Sequence, residues 1–391
     1  MRNFDYSTLR QRDWPQEIPK LLDLLKQYAQ FHRLQLQSVS APPEPCDRHD
    51  PERARLRGRY LALQQRYPEA LLDNILASCQ LSGLKADHAL LSYLQSDDVE
   101  PSSLREQEIF DYLRLHRLFL EHYAAIPFHG QTIVKMHYVL HQSSALPYRG
   151  RFRRRPFEIT KEQLLSDTEG GELASFVSLP PQEVPAAFTE LTESCRVNLE
   201  QGGIEPLLLI PCFILDLLCL HPFADGNGRL GRVLTQMLLA KCGYEVVRCS
   251  GFDTLLMRDS QRYYDALTAS AAHWPEGGHD PGYFVSFLLR TLLRCYEDFN
   301  VWFYSLEDPR DPQGRMRKAQ EASGLFAKHL PAGLALGNIP ERYRESPAAS
   351  RPEKPDAHAS LLSRISPLRR RNLTVTTPQG ELREVAVLQR N

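Results

Sequence analysis

The sequence predicts a mostly α-helical protein, and three observations carry that expectation. Apolar residues recur at helical spacing through most of the stretch from Trp14 to about residue 303. One segment, Leu207 to Leu220, is apolar nearly all round, as expected of a central buried helix rather than a surface one. Alternating, β-compatible patterning is confined to Tyr148–Ile159 and to the C-terminal stretch near Leu373 and Val385. The expected architecture is a helical bundle core with a short β-hairpin flap, extra N-terminal helices and a basic C-terminal extension.

The elements follow in order. Trp14, Ile18, Leu21, Leu22, Leu25 and Tyr28 predict a helix over 14–40. The prolines of Ala41-Pro42-Pro43-Glu44-Pro45 forbid regular structure there. Helical patterning resumes near Arg53, and Pro68 is expected to open a new helix carrying Leu71, Leu72, Ile75 and Leu76. Further helices are expected at 104–123, 130–142, 184–200, 206–220, 229–241, 260–272 and 281–303, with Pro211 kinking the one at 206–220 or marking its effective start. Residues 167–182 read as loop. Residues 345–357, rich in Pro, Ala, Ser and charge, read as a linker or disordered stretch. A hairpin is expected around Pro378-Gln379-Gly380. The domain boundaries drawn from this are 1–103 for the N-terminal helices, 104–305 for a catalytic domain and 306–391 for the extension.

Composition narrows the function classes. With 47 Lys plus Arg against 48 Asp plus Glu in 391 residues, the surface as a whole is not built for nucleic acid. From Arg315 onward there are 14 basic against 7 acidic residues, so an anionic partner for the tail stays open beside the plainer reading of a solvated tail. The longest apolar run, Pro206–Phe223, is broken by Asp216 and is too short for a membrane span. Eight cysteines without a CxxC pair read as buried thiols in a reducing cytoplasm rather than a zinc or disulfide framework.

The chemistry concentrates in His221-Pro222-Phe223-Ala224-Asp225-Gly226-Asn227-Gly228-Arg229-Leu230-Gly231-Arg232, a glycine-rich turn entering a helix. Gly226 and Gly228 let backbone approach a ligand. The first N–H groups of a helix lack intrahelical acceptors and attract phosphate. Arg229 and Arg232 share a face of the first turn and suit a polyphosphate. Asp225 supplies a hard oxygen for Mg²⁺, His221 can accept a proton, and Phe223 can pin the loop to the core. These parts fit phosphoryl or nucleotidyl transfer, and no Walker loop is present.

The same stretch matches the Fic signature HxFx[DE]GNGRxxR at all eight of its constrained positions, so residues of roughly 70–300 resemble the Fic/Doc (Fido) family. Met136-His137-Tyr138-Val139-Leu140 and Tyr148–Arg153 resemble the helix and target-docking flap upstream of Fic sites, with Arg151, Phe152 and Arg153 on that flap. Arg262–Leu267 resembles the helix near the adenine pocket. The resemblance implies an all-α core and Mg²⁺-dependent transfer of AMP from ATP to a Ser, Thr or Tyr hydroxyl of a target protein. It makes His221 the general base and Asp225 the metal ligand. Gly226, Asn227 and Gly228 would cradle the α- and β-phosphates, Asn227 partly through its side chain. Leu230 and Gly231 fall in the same ATP-binding segment. Arg229 and Arg232 would meet the β- and γ-phosphates, and Tyr264, with Tyr263, would line the adenine pocket. The family often dimerises, so a homodimer is allowed.

Many relatives carry an inhibitory helix, [ST]xxxE[GN], whose Glu pairs with the second motif arginine. The matching residues here are Ser78, Ser82 and Gly83, with Ser82 where the Glu would stand. The expectation is that this inhibition, and the removal of AMP that the same Glu supports, are weakened. Two other functions remain: a Fic-fold phosphotransferase of the Doc type, disfavoured by the intact Gly226-Asn227-Gly228, and a non-catalytic regulatory binding module. His137 is expected to pack or hydrogen-bond in a core helix. The arginines at 149, 151 and 153–155 either steer an acidic partner or form an exposed flap face.

Overall fold

From Leu207 to Leu220 every side chain is buried, and the helix they form, here α7 (Pro206–Leu220), is the axis around which the others pack. The computed structural model describes residues 4–39, 51–96, 99–143, 147–159, 176–306, 369–376 and 382–389. In chain order the α-helices are α1 (Glu17–Gln37), α2 (Pro51–Leu81), α3 (His88–Leu94), α4 (Leu104–His122), α5 (Gly130–Leu140) and α6 (Val184–Gln201). After α7 come α8 (Asn227–Lys241), α9 (Phe252–Arg258), α10 (Ser260–Ala271) and α11 (Gly282–Ser305). Helices α6, α8, α10 and α11 all pack on α7. One hydrophobic cluster runs from Phe4 to Phe303, so the N-terminal helices share a core with the rest.

Asp216, the charge inside the apolar run, is tied down. Its carboxylate accepts from Tyr6 Oη at 2.8 Å and from Trp274 Nε1 at 2.7 Å. A buried carboxylate is tolerable only with such partners, and here it fastens the N-terminus to the central helix.

Several expectations are corrected. Pro68 does not open a helix: α2 runs through it as one 31-residue element. A proline inside a helix forfeits one N–H bond and costs about 3 kcal/mol. Tertiary anchoring offsets this beyond the proline, where Asn74 donates to Ser250 O at 2.9 Å and accepts from Asp253 N at 2.8 Å. Likewise α7 starts at Pro206, and Pro211 lies inside it. The short helices α3 and α9 fall outside the elements expected from periodicity, each being only two turns long.

The flap differs too. Phe152 forms an isolated antiparallel bridge with Phe223, while β1 (Glu158–Ile159) pairs with β2 (Phe176–Val177). The hairpin arms are therefore not both within 148–159, and part of the stretch read as loop, 176–177, is strand. The C-terminal hairpin pairs β3 (Arg369–Thr376) with β4 (Leu382–Gln389). The Pro-rich loop at 41–45, the linker at 345–357 and most of the basic tail lie outside the described residues. Among the described residues no helix is long and apolar enough to cross a membrane. Of the cysteines described, Cys79, Cys195, Cys212, Cys219, Cys249 and Cys295 are buried thiols.

Candidate active site

Helix α7 ends at His221, whose backbone is left-handed at φ 47°, a conformation uncommon outside glycine and its few tolerant substitutes. The chain then turns through Phe223 to Gly226 and enters α8. Asn227 staples this turn: its Oδ1 accepts from Phe223 N at 3.1 Å and its Nδ2 donates to Phe223 O at 2.9 Å. One Nδ2–H and one Oδ1 lone pair of Asn227 thus hold the loop, and its second Nδ2–H remains for another acceptor. Phe223 is fully buried and stacks on His137 at 3.9 Å, pinning the loop as expected.

Gly226 has φ 79°, and a Cβ there would stand 2.8 Å from Leu140 Cδ2 and 2.9 Å from His141 Nε2. No other residue fits that corner without displacing α5. Gly226 N donates to Asp225 Oδ1 at 2.7 Å. Leu230 N is the first to return into the helix, on Gly226 O at 2.9 Å. The N–H groups of Asn227, Gly228 and Arg229 have no hydrogen-bond partner among the described residues. They form the donor cluster of a helix start that attracts anions.

Arg229 is only 4% exposed. Its Nη2 lies 3.9 Å from Asp225 Oδ2 and its Nη1 is buried without a hydrogen-bond partner. A buried guanidinium with an unspent N–H beside three free amides marks a place for a missing acceptor. Leu230 and Gly231 do not join this cluster. Leu230 sits in the hydrophobic core, and a Cβ on Gly231 would meet Leu218 at 3.2 Å, so both serve helix packing.

Arg232 is held by α2, with its Nη1 close enough to Gly228 that a Cβ there would meet it at 3.3 Å. Its Nε donates to Ser78 Oγ at 2.5 Å, and its Nη2 donates to Ser78 O at 3.0 Å and Ser82 Oγ at 2.5 Å. Ser78 is also hydrogen-bonded to Tyr112 Oη at 2.6 Å. The end of α2 thus reaches the second motif arginine, and Ser82 meets it through a hydroxyl. Behind lies Asp253, fully buried; desolvation pushes its carboxyl up to about 7 despite the attraction of Arg232. Gly83 is exposed and left-handed at φ 70°, just past the helix end. Tyr264 Oη donates to Leu81 O at 3.1 Å beside this arrangement, whereas Tyr263 is buried against Phe284 and Phe287.

The imidazole of His221 is 8% exposed and lies flat on Phe157, with ring centroids 3.6 Å apart and planes at 1°. Burial lowers its pKa to about 3, with the Arg153 charge acting in the same direction and Asp225 and the Leu218 carbonyl against it. The flap therefore covers this imidazole. Arg151 is exposed and Phe152 half-buried, but Arg153 is 6% exposed and turned inward. Its expected place on a docking face is corrected; it sits beneath His221.

His137, in α5, links flap to motif. Its Nδ1 accepts from Gly150 N at 2.9 Å, so Nε2 carries the proton and donates to Asp225 O at 3.1 Å. Burial lowers its pKa to about 4, keeping it neutral. Sequence reasoning does not single out Phe157, Asp253 or Arg153 in these roles. A charge in the apolar stretch Gly251-Phe252-Asp253-Thr254-Leu255 is the available signal for Asp253.

Comparison with known proteins places the same stretch of chain in a family likeness. Residues 108–239 match the model of the Fic/DOC family. That stretch, about a third of the chain, is similar to a Fic domain. A Fido domain-containing protein of Dictyostelium discoideum is 28% identical over 80 residues, 20% of this chain and 51% of that relative, so the match spans about half the relative's length. A crystal structure of a Fic family protein from Desulfovibrio desulfuricans G20 is similar with a TM-score of 0.55 at 17% identity, covering 80% of this chain and 85% of that one. A Fic domain containing signaling protein from Bacteroides thetaiotaomicron VPI-5482 gives 0.52 at 17%, covering 73% and 98%. At such identities the two structures show the fold alone, and the stretch that matches the family model, 108–239, contains His221 and most of α8.

Proposed function

We propose that this protein transfers AMP from ATP to a Ser, Thr or Tyr hydroxyl of a target protein. The observation that carries the reading is the buried Arg229 Nη1, without a hydrogen-bond partner among the described residues, on the first turn of α8, where helix N–H groups lack intrahelical acceptors. Such donors bind a polyphosphate and stabilise the charge that builds up as one phosphate is transferred. His221, at the mouth of the same turn, takes the proton of the acceptor hydroxyl. The hydroxyl oxygen then bonds to the α-phosphorus, the bond to the β-phosphate oxygen breaks, and pyrophosphate leaves. Because Phe157 covers the imidazole, an acceptor reaches it only when that ring moves aside.

Asp225 fits a magnesium ion shared with the nucleotide. Its side chain is 38% exposed, and among the described residues no group of three or more metal-binding side chains exists. One carboxylate is what Mg²⁺ takes from a protein when phosphates and waters complete its shell. Asp225 would hold the ion, which would neutralise phosphate charge. Asp225→Ala should leave a slow residual transfer that no longer rises with magnesium concentration; an unaltered magnesium response would remove Asp225 from the role.

Incubation with α-labelled and γ-labelled ATP tests the reading. Label entering protein from the α position alone supports AMP transfer. Label from γ alone would make this a phosphotransferase, and label from neither would leave a nucleotide-binding module.

A further inference from the structure

Under the proposed base lies a side chain that belongs to the flap yet makes all its contacts away from solvent. Arg153 Nε donates to His221 O at 2.8 Å and its Nη1 to Arg155 O at 2.9 Å. Its Nη2 reaches Leu179 O at 2.6 Å, Ser178 Oγ at 3.2 Å and Leu220 O at 3.3 Å. Ser178 Oγ itself donates to Leu220 O at 3.0 Å, and Arg153 N donates to Pro222 O at 2.9 Å. The three consecutive carbonyls 220–222, where α7 breaks off, are thus all capped from one residue of the flap.

Two features set this apart from ordinary helix termination. His221 is one of two described non-glycine residues with positive φ, and such a backbone persists only where its surroundings over-determine it. The guanidinium is buried, and among the described residues no carboxylate lies within ion-pair distance of it. Its charge is balanced by carbonyl dipoles alone, although burial lowers its pKa only to about 10, so it stays charged. A buried cation without a counter-ion is costly. A core built only for stability would place an apolar residue or a short amide there.

We propose that Arg153 is the positioning residue of the proposed base: it holds the His221 main chain in its left-handed turn and keeps a fixed positive charge against the imidazole. The charged groups near that ring are Arg153 beneath it and Asp225 across the loop, with neutral Phe157 on its face. Arg153 favours the neutral, proton-accepting imidazole. Through Ser178 and Leu179 it also couples the base to the segment that carries β2, so movement of the flap and the setting of the base are linked.

The inference rests on the reading of His221 as base, and the experiment separates the two. Imidazole resonances of His221, assigned by their absence in His221→Asn, are titrated in the intact protein and in Arg153→Gln and Arg153→Lys. Label transfer from α-labelled ATP is measured alongside. In Arg153→Gln the His221 midpoint should rise by about one unit or more, since a like charge has been removed. In Arg153→Lys the charge and the backbone bond to Pro222 O remain, but a single ammonium cannot span the carbonyls of Arg155, Leu179, Leu220 and His221 that the guanidinium meets. The midpoint should stay within about half a unit, while kcat falls about tenfold or more with KM for ATP little changed.

A folded Arg153→Gln with an unshifted His221 midpoint overturns the electrostatic half. A folded Arg153→Lys with unchanged kcat overturns the positioning half. Should Arg153→Gln fail to fold, Arg153→Lys and Ser178→Ala decide. Ser178→Ala should displace the amide resonances of residues 220–221 and slow transfer, and no change in either overturns the link. If the intact protein transfers nothing, the titrations and amide shifts still judge Arg153, and only the reading of His221 falls.

Discussion

The two arginines of the motif share a helical turn and have opposite fates. Arg229 is buried with an unspent N–H, on a helix start whose first three amides lack partners among the described residues. Arg232 is equally buried but is held by Ser78 and Ser82 of α2. Arg229 therefore keeps a donor unspent at the front of the turn, whereas Arg232 is held by hydroxyls at the back, where the Asp253 carboxylate oxygens lack hydrogen-bond partners among the described residues. Buried donors cost free energy when unsatisfied, so a chain that leaves several at one place shows where its ligand docks. Hydroxyls at the back hold Arg232 without neutralising it, which leaves its charge available to an anion arriving from the front.

Four substitutions would break or sharpen that contrast. The largest effect is expected for His221→Ala. Transfer should fall by about a hundredfold or more, with little change in ATP affinity by calorimetry, because the base meets the acceptor rather than the nucleotide. Equal losses of both would place His221 among the phosphate-binding groups and blur the division. Ser82→Glu comes next. A carboxylate on Arg232 makes a charge-assisted pair where a hydroxyl now sits, and auto-modification should drop about tenfold. Unchanged auto-modification would show that the state of Arg232 does not govern the front.

Gly226→Ala tests the corner between the two sides. It combines a left-handed residue with contacts of 2.8 and 2.9 Å to Leu140 and His141. Alanine in that conformation alone costs about 1–2 kcal/mol, so the melting midpoint should fall by several degrees in thermal unfolding. An unmoved midpoint would mean the loop is free to reshape.

The smallest effect is expected for Phe157→Ala. The pKa of His221, about 3 under the phenyl ring, should climb toward its ordinary ~6.5 as water reaches it. The sign follows: the wild-type imidazole is neutral across the working range, whereas the mutant's begins to protonate as pH falls below about 7. The ratio of transfer at pH 6 to that at pH 8 should be lower in the mutant. An identical pH profile would show that cover by Phe157 in the resting state does not set the protonation of His221.

Much of the candidate site is legible in the sequence. The spacing of His221, Asp225, Gly226, Arg229 and Arg232 is local, and local spacing on a helix start dictates which groups face an anion. The elements misread are those where local chemistry and packing disagree. Pro68 looks like a helix start because local chemistry favours one, yet Asn74 and its partners at Ser250 and on α9 hold the chain helical across it. Arg153 looks like its arginine neighbours at 151, 154 and 155, and nothing in the run says which one turns inward.

The sequence by itself determined that this chain is helical, that α7 is central and that a glycine-rich turn entering a helix follows it. Apolar periodicity and a glycine-rich helix start act over a few residues and need no distant partner. Only the tertiary structure decided that Arg229 is left unsatisfied while Arg232 is held, that Phe157 lies over the base, and that Arg153 caps the end of α7. Each of those depends on residues distant in the chain meeting in a dry interior, where an unpaired polar group must find a partner or wait for one.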